Sequence, residues 1–203
     1  MVTIVDYGMG NLGSVRNMFN YIKVPVQVSG DAKVIEQAVR VLLPGVGAFD
    51  AAMLKINDAG LRDVLQYKAM EEKVPVLGIC LGMQLLTNGS EEGIMPGFGW
   101  IDATTERFRF TDKRMKVPHM GWNLTREIQP NALTKDLGEE PRFYFVHSYY
   151  VTTADEKNVL MRTHYGHDFD SVITNGENIY GAQFHPEKSH KFGMQLFKNF
   201  AKL

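Results

Sequence analysis

The chain contains one cysteine, Cys80, in the stretch "VPVLGICLGMQLL" at 74–86. A near-continuous apolar run reaches Gly78-Ile79-Cys80-Leu81-Gly82 and then passes into a segment with helical character. G-x-C-x-G between a buried strand and a helix is the cysteine form of a nucleophile elbow. The glycines let backbone pass close on either side of a sharp turn. The thiol would sit above the sheet at a helix start, where free N–H groups and the helix dipole favour a thiolate. The N–H of Leu81, the residue after the nucleophile, is placed to donate to an oxyanion. A buried structural cysteine is the competing reading, since Cys packs as a small apolar residue. A base for the thiol stands in "GAQFHPEKS" at 181–189. His185 and Glu187 are two apart, and residues i and i+2 of an extended segment point to the same side. Pro186 favours extended backbone at its predecessor. A carboxylate beside an imidazole fixes its tautomer and stabilises its protonated form. Cys80, His185 and Glu187 are therefore expected to form a catalytic triad.

The elements that must position these residues alternate over the first 90 residues. Strands are expected at 2–6, 24–28, 39–43 and 74–79. Helices are expected at 12–22, 31–38, 50–70 with a split at Gly60, and 81–87. "VRVLL" and "VPVLGI" are almost wholly apolar, as in parallel strands buried on both faces. From about 98 to 184 short strand-like pieces follow at 104–110, 115–118, 142–151, 158–163, 170–174 and 178–184. A last helix over 189–201 places Phe192, Leu196 and Phe200 at i, i+4 and i+8 for packing on the sheet. The pattern predicts an α/β fold: an open, mostly parallel central sheet flanked by helices, with an antiparallel extension. No repeat or linker interrupts it, so residues 1–203 are expected to form one domain.

Composition removes several function classes. With 22 Lys plus Arg against 23 Asp plus Glu, the net charge of −1 points to neither nucleic acid nor an anionic membrane as partner. One thiol cannot make an intrachain disulfide. The six histidines show no H-x-x-x-H pair, so no metal or other cofactor is expected. No signal peptide or membrane span is recognisable, and a free thiol suits the cytoplasm.

Two glycine loops remain. "LLPGVGAFD" at 42–50 follows the third strand, at the carboxyl end where ligands bind in open α/β sheets. Gly45 and Gly47 leave its N–H groups unobstructed, although the same residues would make an ordinary turn. "DYGMGNLGS" at 6–14 carries G-x-G-x-x-G after a strand and before a helix, with Asp31 about 20 residues on. That is the arrangement of a dinucleotide fingerprint built on Gly8, Gly10 and Gly13.

Taken together, "GICLGMQ", "LPGVGAF" and "FHPEKS" resemble the class I, or triad, glutamine amidotransferases. "KVPHMGWN" at 116–123, "YFVHSYY" at 144–150 and the opening loop narrow the resemblance to the HisH family, glutaminase subunits of imidazole glycerol phosphate synthase. The motifs run in order over nearly the whole chain. The resemblance implies hydrolysis of L-glutamine to glutamate and ammonia in histidine biosynthesis. It implies an oxyanion donor from Gly45–Val46, and glutamine contacts at Gly47, Gln84, Glu92 and the backbone of Ser148 and Tyr149. It also implies a heterodimer with a (βα)8-barrel cyclase that receives the ammonia. Asn11 would then lie toward that partner and the glycine loop would be a decoy for nucleotide binding. Trp122, between Gly121 and Asn123, suits an interface anchor or, equally, a core tryptophan.

Three rivals stay in view. Paralogues of this family feed ammonia to a barrel that amidinates a nucleotide sugar for surface polysaccharide, and their triad is the same. A dinucleotide-binding module would use the first glycine loop. A catalytically silent assembly subunit would not need Cys80, His185 and Glu187 intact.

Overall fold

A computed structural model describes residues 1–203. Its parallel half follows the apolar pattern closely. Strand β1 (Val2–Val5) leads to helix α1 (Leu12–Tyr21), β2 (Val26–Ser29), α2 (Ala32–Glu36) and β3 (Val41–Gly45). Next come α3 (Phe49–Asp58), α4 (Arg62–Gln66), β4 (Val76–Cys80) and α5 (Leu81–Leu85). The helical split falls at Gly60, whose φ of +65° is left-handed backbone that glycine adopts without a Cβ clash. Helix α4 runs on into a π-helical turn at Tyr67–Glu71.

The remaining strands are β5 (Ala103–Arg107), β6 (His119–Glu127), β7 (Arg142–His147), β8 (Tyr149–Thr153), β9 (Val159–Tyr165), β10 (His167–Thr174) and β11 (Ile179–Ala182). Helix α6 (His190–Phe200) closes the fold. The eleven strands form one sheet in the order β2-β1-β3-β4-β11-β10-β9-β6-β7, with β8 attached to β10 and β5 to β8. β2, β1, β3, β4 and β11 are mutually parallel, and the rest pair antiparallel.

Period-2 alternation along the parallel strands builds a core on each face. Val5, Val41, Leu43 and Val76 pack with Ile35, Met53, Ile56 and Leu65 from α2, α3 and α4. Val2, Ile4, Leu42, Leu77 and Ile79 pack on the other side with Val15 and Phe19 of α1 and Leu196, Phe197 and Phe200 of α6. The rings of Phe19 and Phe197 stack at 4.4 Å. Phe197, outside the predicted i, i+4, i+8 stripe, is thus a core residue, while Phe192 is only partly buried.

Two strand expectations in the antiparallel half fail. Residues 115–118 are not a strand; the strand begins at His119 and runs through the motif "HMGWN" to Glu127. The single strand expected at 142–151 is two. The chain breaks at Ser148, so β7 pairs with β6 while β8 pairs with β5 and β10. Composition cannot show such a break, because both halves are equally aromatic and both are strand.

Candidate active site

Cys80 ends β4 with φ +54° and ψ −113°, a conformation L-residues seldom adopt, and Leu81 opens α5 directly after it. The flanking glycines are sterically required. A Cβ at Gly82 would lie 1.9 Å from the Leu43 carbonyl oxygen, and one at Gly78 would lie 2.5 Å from that of Gly82. The strained backbone is thus held by packing on both sides, as expected where strain serves a site. Helix α5 is five residues long, shorter than expected, so its dipole offers the thiol little and direct hydrogen bonds matter more.

β11 runs parallel to β4, with Ala182 opposite Ile79. The segment after β11 therefore emerges beside Cys80. His185 has extended backbone, as Pro186 requires, but the chain then turns: Pro186–Lys188 is a single 3₁₀ turn rather than a continued strand. Glu187 still reaches the ring, with Oε1 2.8 Å from His185 Nδ1. Ser189 secures the turn. Its hydroxyl donates to the His185 carbonyl at 2.6 Å and accepts from Tyr144 N–H at 3.0 Å. Both His185 and Glu187 are almost fully buried. Burial disfavours the imidazolium, but hydrogen bonds and charge from Cys80 and Glu187 outweigh it and push the His185 pKa up to about 10. With Nδ1 committed to Glu187, Nε2 is the nitrogen that serves Cys80.

A cavity of about 350 Å³ opens over the thiol. Cys80, Leu81 and His185 line it together with Val46, Gly47, Gln84, Glu92, Ser148 and Tyr149. Gly45 and Glu187 stand just behind this wall. Gly45 pairs with Cys80 across β3 and β4, and Glu187 backs His185. Glu92 is tied in place: its Oε2 accepts from Phe49 N–H at 2.9 Å, at the start of α3. Its other oxygen is free to meet an ammonium group. Gln84 Nε2 donates to the Tyr149 carbonyl at 3.3 Å and to Gln183 Oε1 at 3.1 Å, leaving its own Oε1 as an acceptor.

Two residues of this site escaped the sequence reading. His147 also lines the cavity. Its Nδ1 is 2.7 Å from the Tyr149 carbonyl, so Nδ1 carries the proton and Nε2 accepts from His119 Nδ1 at 2.9 Å. His119 Nε2 in turn accepts from Asn123 Nδ2 at 3.2 Å. Burial lowers the His147 pKa to about 3 and that of His119 to about 4, so both rings are neutral and can hold this directional chain. Gln183 is the second, fully buried with Nε2 3.7 Å from Cys80 Sγ. The signal was present in both cases, in "VHSYY" and "AQFHPE": a polar side chain inside a strand that should be buried.

The opening glycine loop has a different use from phosphate binding. The order β2-β1-β3-β4-β11 puts a topological switch point between β1 and β3, where a nucleotide would be sought. Protein fills that place. Tyr7 donates to the Pro44 carbonyl at 2.6 Å, and a Cβ on Gly10 would stand 3.2 Å from the Pro44 ring. A Cβ on Gly47 would stand 2.7 Å from the Met9 methyl. The glycines let the first loop lie on the P-G-V-G loop. Asn11 lies outside the cavity and caps α1, accepting from Ser14 N–H at 3.4 Å. Trp122 is 48% exposed, which excludes the core reading. It stacks on His190 at 5.3 Å, between Met120 and Leu124, which β6 exposes on the same face.

Comparison with known proteins decides the family. The sequence model of class-I glutamine amidotransferases matches residues 3–203. The imidazole glycerol phosphate synthase subunit HisH 2 of Methanococcus maripaludis is 52% identical over 202 residues, covering 100% of this chain and 99% of that protein. The chain belongs to the HisH family of class-I glutamine amidotransferases. HisH 2 of Pseudomonas aeruginosa is 48% identical over 203 residues, with 100% of both chains covered. A solved structure described as a glutamine amidotransferase is similar to this HisH-family fold with a TM-score of 0.75 at 18% identity, covering 100% of both chains. A glutamine amidotransferase from Thermotoga maritima has a TM-score of 0.64 at 16% identity, covering 99% of this chain and 82% of that one. As a HisH-family member the chain is an amidotransferase, and no helix is long and apolar enough to cross a membrane.

Proposed function

We propose that residues 1–203 act as one glutaminase domain, in which Cys80, His185 and Glu187 hydrolyse L-glutamine and release ammonia for a (βα)8-barrel cyclase partner. The observation that carries this reading is the buried His185–Glu187 pair at 2.8 Å, beside a nucleophile elbow whose thiol faces a ligand-sized cavity. A carboxamide is a poor electrophile with a poor leaving group, and covalent catalysis divides the difficulty into two steps. Cys80 Sγ attacks the side-chain carbonyl carbon of glutamine. His185 Nε2 takes the thiol proton and delivers one to the departing nitrogen, so ammonia leaves and a γ-glutamyl thioester remains. A water then gives a proton to His185 and attacks the thioester, releasing glutamate and the thiol. Glu187 holds the ring throughout. The Leu81 N–H and one from the Gly45–Val46 segment receive the oxyanion, while Gly47, Gln84, Glu92, Ser148 and Tyr149 seat the amino-acid end.

The barrel would contact both Trp122 and Asn11 of the first glycine loop, and the complex would work in the cytoplasm. Ammonia released to water would be protonated and lost as a nucleophile, which favours direct delivery. In the HisH reading the cyclase makes imidazole glycerol phosphate. A second reading, ammonia for amidination of a nucleotide sugar, is favoured by the names of the two relatives above, each numbered as a second HisH. Complementation of a histidine auxotroph lacking its glutaminase tests the choice. Growth supports the histidine role. Failure by a chain that is active on glutamine with its own partner favours the sugar role.

A further inference from the structure

We propose that Gln183 is a fourth catalytic residue, whose side-chain N–H donates to the Cys80 sulfur and favours the thiolate. The inference rests on the assignment of Cys80 as nucleophile. β4 and β11 pair in parallel with Ala182 opposite Ile79, and one step further along the register Gln183 stands beside Cys80. Gln183 is completely buried, and Nε2 lies 3.7 Å from Sγ, within the range for hydrogen bonds to sulfur.

The orientation of that amide is forced by its neighbours in the cavity wall. The Tyr149 carbonyl can only accept, so Gln84 must turn its NH₂ group toward it. The same Gln84 nitrogen faces Gln183 at 3.1 Å, so the Gln183 atom there must be its oxygen. Gln183 is left with its NH₂ toward the sulfur. A flipped amide would set two donors against each other and leave a carbonyl facing a developing thiolate.

A thiol sulfur accepts weakly and a thiolate strongly, so the bond is worth more after ionisation than before it. Hydrogen bonding to the charged form lowers an acid's pKa. The proton itself goes to His185 Nε2; Gln183 donates a hydrogen bond and transfers nothing. The other ionisable groups around the sulfur are His185 with Glu187 behind it, the Tyr7 phenol just after β1, and Glu92 and the neutral His147 in the cavity wall. A substitution at position 183 leaves all of these side chains in place.

Because Cys80 is the only cysteine, alkylation by iodoacetamide reports this thiol alone. The test is the pH profile of the alkylation rate in the full chain. Gln183→Met, similar in volume but without an N–H, should raise the midpoint by about one to two pH units. Gln84→Met, which keeps Gln183 but unlocks its orientation, should raise it less. An unchanged midpoint in folded Gln183→Met overturns the proposal. Should that variant fail to fold, the side-chain amide resonance of Gln183 in the native chain decides. A shift that titrates with the alkylation midpoint supports the bond, and a resonance indifferent to it overturns it. Glutamine turnover surviving in Cys80→Ala would instead remove the nucleophile assignment while leaving the titration readable.

Discussion

The Tyr7 hydroxyl donates to the Pro44 carbonyl at 2.6 Å, joining the loop after β1 to the P-G-V-G loop at the end of β3. The contact is buried, and burial together with the charge of Cys80 holds the phenol well above its usual ionisation range, so it stays a donor. It pins the peptide on the N-terminal side of Gly45. Tyr7→Phe leaves a buried carbonyl unsatisfied, which costs about 1–3 kcal/mol. It should also lower glutamine turnover with little change in KM, because the ring still fills its place while the oxyanion donor loses its mooring. Steady-state kinetics beside a denaturant melt checks both; wild-type kcat in the variant would unlink Tyr7 from the loop.

With that peptide pinned, freedom in the loop lies at Val46 and Gly47. Gly47 has φ +101°, strained for any residue with a Cβ. Gly47→Ala should cut kcat by up to about 10²–10³-fold, the typical cost of one lost oxyanion donor. The loop also offers a brake: a peptide turned the other way presents a carbonyl where the N–H should be. We expect turnover to rise from the free chain, to the chain with its barrel partner, to that complex with acceptor nucleotide. Equal turnover in all three conditions would exclude the brake.

Cys80 is held at φ +54°. Cys80→Ala keeps the strain and loses the nucleophile, so glutamine hydrolysis should vanish with folding and partner binding intact. Cys80→Gly should be equally inactive yet more stable by roughly 1 kcal/mol, since strain of this kind costs about 1–3 kcal/mol and glycine returns part of that as lost backbone entropy. A lower melting temperature for Cys80→Gly than for Cys80→Ala would contradict strain at the elbow.

Stability should fall toward both acid and alkaline pH, for different histidines. The unfolded chain takes up protons near pH 6.5, whereas folded His119 and His147 resist them until about 4 and 3. Their contribution is therefore present above pH 6.5 and drains away as pH falls toward those values. His185 runs the other way. Its folded pKa of about 10 is raised, so its contribution is full below pH 6.5 and lost as pH climbs through 10. Urea midpoints across pH should show a shallower acid limb in His147→Gln and a shallower alkaline limb in Glu187→Gln. Limbs of native slope in these variants would mean that other groups set them.

Calorimetric titration with NAD or FAD should show no heat of binding, because Tyr7, Met9 and Gly10 already occupy the switch-point crevice. Tight binding of either would restore the dinucleotide reading. Gly10→Ala, pressed against Pro44, should alter coupling to the partner and leave nucleotide affinity at nil.

The parallel half was legible because its central strands β3 and β4 are buried on both faces and the turns that follow β1, β3 and β4 carry glycines. The elbow and the His-Pro-Glu segment could be read from single residues: Gly78 and Gly82 mark places where backbone passes too close for a Cβ, and Pro186 fixes extended backbone at His185. The antiparallel half was harder. Nothing local distinguishes β7 from β8, since the break at Ser148 comes from a change of pairing partner, a long-range fact. Asn11 and Trp122 show the same limit. One is an ordinary helix cap and the other is exposed, and only the packed sheet decides which. Gln183 and His147 were hidden in motifs whose neighbours drew the attention. Their roles depend on acceptors supplied by Tyr149, distant in sequence from Cys80.

β4 ends at Cys80 and β11 begins at Ile179, with the whole antiparallel region threaded between these adjacent strands. During synthesis the nucleophile leaves the ribosome long before its base. The early strands and helices can pair as they emerge, but β11 must wait for nearly the full chain and then insert between β4 and β10, a non-local closure of the slow kind. Until it does, the thiol has neither His185 to take its proton nor Gln183 to steady its charge. On the proposed triad, a copy terminated before β11 would spare glutamine, because its thiol would have no base beside it.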